Sequence, residues 1–295
     1  MLTKRKIIFF KNFKNWFIKN RENIEAVFFD IDGTLIAGKR ALPGAITVID
    51  FFNTEHFPYL LLTNDGNHSV EEKSKMISSA GLSIPTSNFI SCSMALETYV
   101  KKYKCHGQKF FVMGDLGKPC YAEKVSLKVE RNTKKIFECN GVIVGEGTYD
   151  WQSAFFAVLN FFIKNENAPL IVPNPDSYWP NGPNGEIGIG AGAKARFICM
   201  LLREYGIKKK PIYLGKPYKL IYEFAFQKLL NLYPENKKFR KNRILMLGDS
   251  LRSDIKGGIG FGCRTALLLT GITNEKQLKS IPENIKPELV FKSLA

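Results

Sequence analysis

Four short apolar runs constrain the fold of this chain more than any other feature. Ala26-Val27-Phe28-Phe29, Tyr59-Leu60-Leu61-Leu62, Pro211-Ile212-Tyr213-Leu214 and Arg243-Ile244-Leu245-Met246-Leu247 are each too short for a helix. Each ends in a polar, glycine-containing tip: Asp30-Ile31-Asp32-Gly33-Thr34, Thr63-Asn64-Asp65-Gly66, Gly215-Lys216-Pro217 and Gly248-Asp249-Ser250. Continuous apolar runs of this length suit strands buried on both faces of a parallel sheet. Helix-period segments over 44–52, 70–80, 218–232 and 254–260 separate them, so the pattern is βαβ and the expected fold is α/β, an open, doubly wound parallel sheet. Ligands bind such sheets at the carboxyl ends of the strands. The four tips are therefore expected to meet at one place.

The interval between the second and third tips is much longer than one crossover requires. Residues 86–105 read as core, with a helix through Met94–Val100. From Lys109 the pattern changes to short strands and glycine turns, Phe110-Phe111-Val112-Met113-Gly114 and Gly141-Val142-Ile143-Val144-Gly145, followed by a helix around 151–163 and Leu170-Ile171-Val172-Pro173. The expected organisation is an N-terminal arm (1–23), a first core part (24–106), an inserted smaller α/β domain (107–187) that is a candidate lid, and a second core part (188–295).

The residue types at the tips suit phosphoryl chemistry. Asp30 and Asp32 flank one residue before Gly33; two carboxylates this close can divide labour between nucleophile and proton carrier. An isolated Asp-x-Asp-Gly is equally an Asx turn. Thr63 and Asn64 offer a hydroxyl, an amide and backbone N–H groups ahead of a helix, donors suited to a phosphoryl oxygen or to a helix cap. Pro217 restricts Lys216 toward extended geometry and is well tolerated in a first helical turn, which fixes an ammonium at a strand end. Asp249 and Asp254 supply the hard oxygens that Mg²⁺ prefers, and a cluster of such carboxylates without a cation would repel.

The ordered set Asp30-x-Asp32-Gly33-Thr34, Thr63-Asn64, Gly215-Lys216-Pro217 and Gly248-Asp249-x4-Asp254 resembles the four motifs of the haloacid dehalogenase superfamily. The long insertion, with Asn174-Pro175-Asp176 and Gly190-Ala191-Gly192-Ala193, resembles the class IIA, NagD-like branch with a C2-type cap. The resemblance spans residues 25–275 and implies a Rossmann-like core, a cap, and a Mg²⁺-dependent phosphomonoester hydrolase acting on a small phosphorylated metabolite. It implies Asp30 as nucleophile and Asp32 as general acid/base, with Thr63, Asn64 and Lys216 on the phosphate. Mg²⁺ would be held by Asp30, the Asp32 carbonyl and Asp249, supported by Asp254. Asn174, Asp176 and Trp179 would bear on substrate choice, and a homodimer through the cap is implied as well. Three stretches depart from the pattern: Asp65 after Thr63-Asn64, Gly145-Glu146-Gly147-Thr148-Tyr149-Asp150-Trp151, and the aromatic loop Asp176-Ser177-Tyr178-Trp179-Pro180-Asn181.

Composition narrows the alternatives. The formal charge is +16, from 43 Lys+Arg against 27 Asp+Glu. Residues 1–21 carry Lys4, Arg5, Lys6, Lys11, Lys14, Lys19 and Arg21 and no acid, so this arm holds +7 and is expected to lie outside the core. The runs Lys208-Lys209-Lys210 and Lys237–Arg243 read as solvated turns. With no aromatic-and-basic signature or zinc-finger spacing, a nucleic-acid partner is disfavoured. Six scattered cysteines without a Cys-x-x-Cys pair predict reduced thiols, and three histidines form no ligand-spaced group. No apolar stretch reaches the length of a membrane span and no secretory signal is evident, so a cytoplasmic protein is expected. A non-catalytic phosphometabolite-binding module is the main alternative, and nucleic-acid binding through the arm is a weaker one.

Overall fold

The computed structural model describes residues 7–180, 186–236 and 239–295. Lys4, Arg5, Lys6, Asn181, Lys237 and Lys238 lie outside the described residues. The chain divides into two compact units, one of residues up to Thr63 with Val70–Ile90 and Lys216–Ala295, the other of Asn64–Ser69 and Ser91–Gly215.

The first unit is built on a seven-stranded sheet in the order Ile8–Asn12, Leu289–Ser293, Arg264–Leu268, Ile244–Gly248, Ala26–Phe29, Tyr59–Thr63 and Phe89–Ser91. The strands from Ile8–Asn12 through Tyr59–Thr63 pair in parallel. Every residue of Ala26–Phe29, Tyr59–Thr63 and Ile244–Gly248 is buried, as the uninterrupted apolar runs require. Phe29 lies opposite both Leu247 and Leu61, so the segments that follow these three strands leave the sheet at one level. Helices Ala45–Thr54, Val70–Ser79 and Lys219–Leu232 fall close to the periodic segments. The fourth starts earlier than expected: a wide helical turn, Leu251–Ile255, precedes Lys256–Phe261.

The described part of the basic arm, from residue 7 onward, is not outside the core. Ile8–Asn12 extends the sheet beside Leu289–Ser293, and helix Phe13–Asn20 buries Phe13, Trp16 and Phe17. Phe13 and Phe17 have no exposed surface and pack against Phe52; Phe13 also meets Phe29 and Phe291 edge-on. The reason is periodic. Positions 13, 16 and 17 share one helical face, and burying three aromatics outweighs the lysines, which occupy other faces.

The second unit has a five-stranded parallel sheet in the order Ile212–Tyr213, Leu170–Val172, Gly141–Val144, Lys109–Met113 and Lys128–Glu130. Helices Trp151–Lys164 and Ala191–Glu204 bury Val158, Phe161, Phe162, Ala195 and Ile198 in its core. A separate antiparallel ribbon pairs Tyr178–Pro180 with Ile187–Ile189.

The division therefore differs from the expected 107–187 boundaries. The third apolar run belongs to this second sheet, because Ile212–Tyr213 pairs with Leu170–Val172 rather than with a strand of the first unit. Residues 91–106 also join it. Ser91 Oγ, Cys92 Sγ and Ser93 Oγ donate to the carbonyls of Asp65, Asn64 and Gly66 at 2.8, 3.2 and 3.2 Å, which ties the segment after the second tip to the start of the Leu96–Tyr103 helix region. Among the described residues no helix is long and apolar enough to cross a membrane.

Candidate active site

The first unit gathers a buried acidic group around one lysine. Asp30 leaves the end of Ala26–Phe29, its N–H donating to Leu247 O at 2.8 Å, and its side chain is buried. Gly33 makes the turn back at φ +88°, a conformation L side chains rarely adopt. A Cβ there would also lie 2.3 Å from Asp249 Oδ2. Thr34 Oγ1 donates to Asp30 Oδ2 at 3.3 Å.

Lys216 is 2% exposed, and its ammonium donates to Asp30 Oδ1 at 2.5 Å, Asp254 Oδ1 at 2.7 Å and the Leu62 carbonyl at 2.9 Å. The helix that follows begins at Lys219, two residues beyond Pro217 rather than with it. Asp249 Oδ2 accepts from the Ile272 N–H at 2.7 Å, and Asp254 Oδ2 accepts from the Ser250 N–H at 3.0 Å. One oxygen from each of Asp30, Asp249 and Asp254 lies within 4.8 Å of the others. Thr63 is buried at the end of the neighbouring strand.

Burial dominates the electrostatics here. It raises Asp30 well above the usual carboxylate range; Lys216 opposes the rise, while Asp254 and Asp249 add to it. Asp249 is pushed up to about 7, first by burial and then by Asp254. Burial works against the Lys216 ammonium, yet Asp254 and Asp30 more than offset it and hold the group firmly charged. Three buried carboxylates thus face a single ammonium. Hard oxygen donors carrying this excess of negative charge fit a divalent cation such as Mg²⁺. Both oxygens of Asp30 and of Asp254 accept hydrogen bonds, and Asp249 Oδ2 accepts one from the Ile272 N–H.

Asp32 stands apart from this group. Its side chain is 54% exposed and its Oδ2 accepts from Lys73 Nζ at 2.9 Å. Lys73, on helix Val70–Ser79, was not singled out by the motifs; its signal was a charge on the same face as buried Ile77. The loop carrying Gly271 and Ile272 was missed as well, since nothing in its composition marks it. A Cβ at Gly271 would fall 1.8 Å from Asp249 Oδ2.

Within the second unit, Asn64 Nδ2 donates to Asp176 Oδ2 at 3.0 Å, the Asp176 N–H to Asn174 Oδ1 at 2.9 Å, and Asn174 Nδ2 to Glu146 Oε1 at 2.8 Å. The Ala191 N–H at the start of helix Ala191–Glu204 also reaches Glu146 Oε1. Asn174 and Asp176, expected at the specificity loop, are thus joined to Asn64 by one chain of hydrogen bonds closed by Glu146. Burial raises the Glu146 carboxyl above its ordinary value. Trp179 is 41% exposed and covers Gly188 of the paired strand, where a Cβ would sit 2.3 Å from the indole. Asp65 has a local role: it accepts from the N–H groups of Asn67 and His68 and pairs with His68 Nδ1 at 2.9 Å, an Asx-type closure of the turn.

A parallel sheet whose strand ends gather carboxylates about one buried lysine defines a hydrolase core of the haloacid dehalogenase kind, and comparison with known proteins agrees. The sequence model described as haloacid dehalogenase-like hydrolase matches residues 27–128, and a second, HAD-hydrolase-like model matches residues 213–295. The chain is 26% identical to the ribonucleotide monophosphatase NagD of Escherichia coli over 92% of its own length and 97% of the relative's. Phosphoglycolate phosphatase 2 of Arabidopsis thaliana is 25% identical over 94% of this chain and 92% of the relative. Among solved structures, NagD of Escherichia coli superposes with a TM-score of 0.76 at 26% identity, covering 92% of this chain and 97% of that one. A possible sugar phosphatase of Cytophaga hutchinsonii gives 0.78 at 25% identity, covering 98% and 99%. The chain belongs to the haloacid dehalogenase-like hydrolases. Within that superfamily it is of the class IIA, NagD-like type.

Proposed function

We propose that this chain is a Mg²⁺-dependent phosphomonoester hydrolase that acts on a small phosphorylated metabolite through an aspartyl-phosphate. The observation that carries the reading is Lys216, buried and donating to both Asp30 and Asp254 beside Asp249. Relatives that match more than nine-tenths of the chain are phosphatases by name: a ribonucleotide monophosphatase, an acid sugar phosphatase of Staphylococcus haemolyticus and a phosphoglycolate phosphatase. Their differing substrates agree with chemistry set by the core and selection set by the second unit.

In this reading an Asp30 carboxylate oxygen attacks phosphorus while Lys216 offsets the charge of nucleophile and phosphoryl group. Thr63 and Asn64 hold phosphoryl oxygens. Asp32 gives a proton to the departing alkoxide and then takes one from the water that hydrolyses the acyl phosphate. Asp30, Asp249 and the Asp32 carbonyl would hold Mg²⁺, with Asp254 in support; bound there, it would supply charge neutralisation for the transferring group. Asn174, Asp176 and Trp179 would contribute to substrate choice. A reducing, cytoplasmic setting is supported by six free cysteines, and a homodimer through the second unit by the exposed Phe156, Phe197 and Met200 on its two helices. The test is hydrolysis of p-nitrophenyl phosphate with and without Mg²⁺ by the wild type and Asp30→Asn. Turnover that requires Mg²⁺ and is abolished in the variant is expected; undiminished activity of the variant overturns the assignment.

A further inference from the structure

Lys73 is an anomaly of the first unit. On helix Val70–Ser79 only Lys73 and Ile77 are buried, four residues apart on one face, and Lys73 is 5% exposed. This is a position where a leucine or methionine would pack. Burying an ammonium is costly even when it is paired, and replacing a buried ion pair with apolar groups of similar volume is often neutral or stabilising. Folding alone therefore gives little reason for a lysine there.

The far end of the side chain supplies the reason. Lys73 Nζ donates to Asp32 Oδ2 at 2.9 Å. Asp32 is otherwise a mobile kind of group, a short carboxylate with more than half its side-chain surface exposed. Left to itself such a side chain samples several rotamers, and the oxygen facing a substrate would change with each. The lysine anchors one oxygen, Oδ2, and so limits the orientations open to the other, Oδ1. The paired aspartates of the first tip thus have a lysine each: Lys216 on Asp30 and Lys73 on Asp32.

We propose that Lys73 is a positioning residue for the general acid/base, fixing Asp32 by Oδ2 so that Oδ1 is the oxygen that exchanges a proton with the leaving group and with water. The inference rests on the phosphatase reading given above. In the first step the phosphorus–oxygen ester bond breaks, its electron pair stays on the leaving oxygen, and the Oδ1 proton passes to that oxygen as Asp30 bonds to phosphorus. In the second, Oδ1 recovers a proton from water as the water oxygen displaces Asp30 from phosphorus.

An acid that is well placed matters most when the leaving group is poor. Alkoxides need the proton, whereas dinitrophenolate departs without one. The experiment compares kcat/KM, which reports the steps through formation of the aspartyl-phosphate, for β-glycerophosphate and 2,4-dinitrophenyl phosphate in wild type, Lys73→Met, Lys73→Arg, Asp32→Asn and Asp32→Asn/Lys73→Met, with Tm recorded for each. In Lys73→Met the ratio of alkyl to dinitrophenyl kcat/KM is expected to fall about tenfold, with Tm equal to or above wild type. Lys73→Arg should recover most of the ratio, because its guanidinium still reaches the carboxylate. In the Asp32→Asn background Lys73→Met should cost nothing further. Equal losses on both substrates, no loss on either, or the same loss without Asp32 overturns the proposal while leaving the phosphatase reading standing. A wild type that hydrolyses neither ester overturns the phosphatase reading itself, and this inference with it.

Discussion

The acidic group at the strand ends makes Mg²⁺ affinity and pH inseparable, and the coupling can be worked from Asp249. Its carboxyl is raised from 3.8 to about 7 in the folded protein, by burial and by Asp254. The folded state therefore holds that proton more tightly than the unfolded chain. The stabilisation is fully present below the unfolded value and is lost as pH rises through about 7. Each decade between the two values removes about 1.4 kcal/mol, so the protein treated with EDTA should lose up to ~4 kcal/mol from this group as pH rises from about 4 to about 7. A cation needs the ionised form and must displace the proton first. Mg²⁺ affinity should accordingly weaken roughly a hundredfold between pH 8 and pH 5, near 2.7 kcal/mol. Titration calorimetry at the two pH values measures this directly. Thermal denaturation gives a second reading, since a hundredfold excess of ligand over its Kd stabilises by about 2.7 kcal/mol. Equal Mg²⁺ affinity at pH 5 and pH 8, or unchanged affinity in Asp249→Asn, would refute the reasoning.

Gly271→Ala should impair Mg²⁺ binding without unfolding the chain, because its Cβ would lie 1.8 Å from Asp249 Oδ2 and must push the carboxylate aside; calorimetry checks it against Gly260→Ala, whose Cβ meets nothing within 4 Å. Lys216→Met leaves three buried carboxylates without their ammonium and should cost about 3–5 kcal/mol at pH 8. That cost should shrink at pH 5, where Asp249 takes up its proton, and urea denaturation at the two pH values reads the difference. Phe13→Ala should destabilise by about 3–5 kcal/mol in the same assay, since the ring is fully buried among Phe17, Phe29, Phe52 and Phe291. A loss near zero would mean that the N-terminal segment is not part of the core.

What the sequence revealed and what it hid follow from how locally each feature is determined. Ala26–Phe29 and Ile244–Gly248 were legible because strands buried on both faces admit only apolar residues, and the polar tips followed because a parallel sheet puts chemistry at one end. Asp30, Asp249 and Asp254 could be grouped from that rule, whereas Lys216 follows a strand of the other sheet and is placed with them by its own hydrogen bonds. Ile212–Tyr213 could not be assigned, since a two-residue strand carries the same apolar signal whichever sheet it joins. The arm's charge hides its place in the core, because the spacing of Phe13, Trp16 and Phe17 sets one aromatic face and charge at the solvent face costs a helix little when the opposite face is aromatic. Asp65 looked like part of the site by adjacency, yet an Asx turn claims its oxygens within three residues. Lys73 shows the opposite case. Its charge is visible in the sequence, but its partner is 41 positions away, and only the packing of Val70–Ser79 turns an ordinary surface residue type into a buried ammonium directed at Asp32.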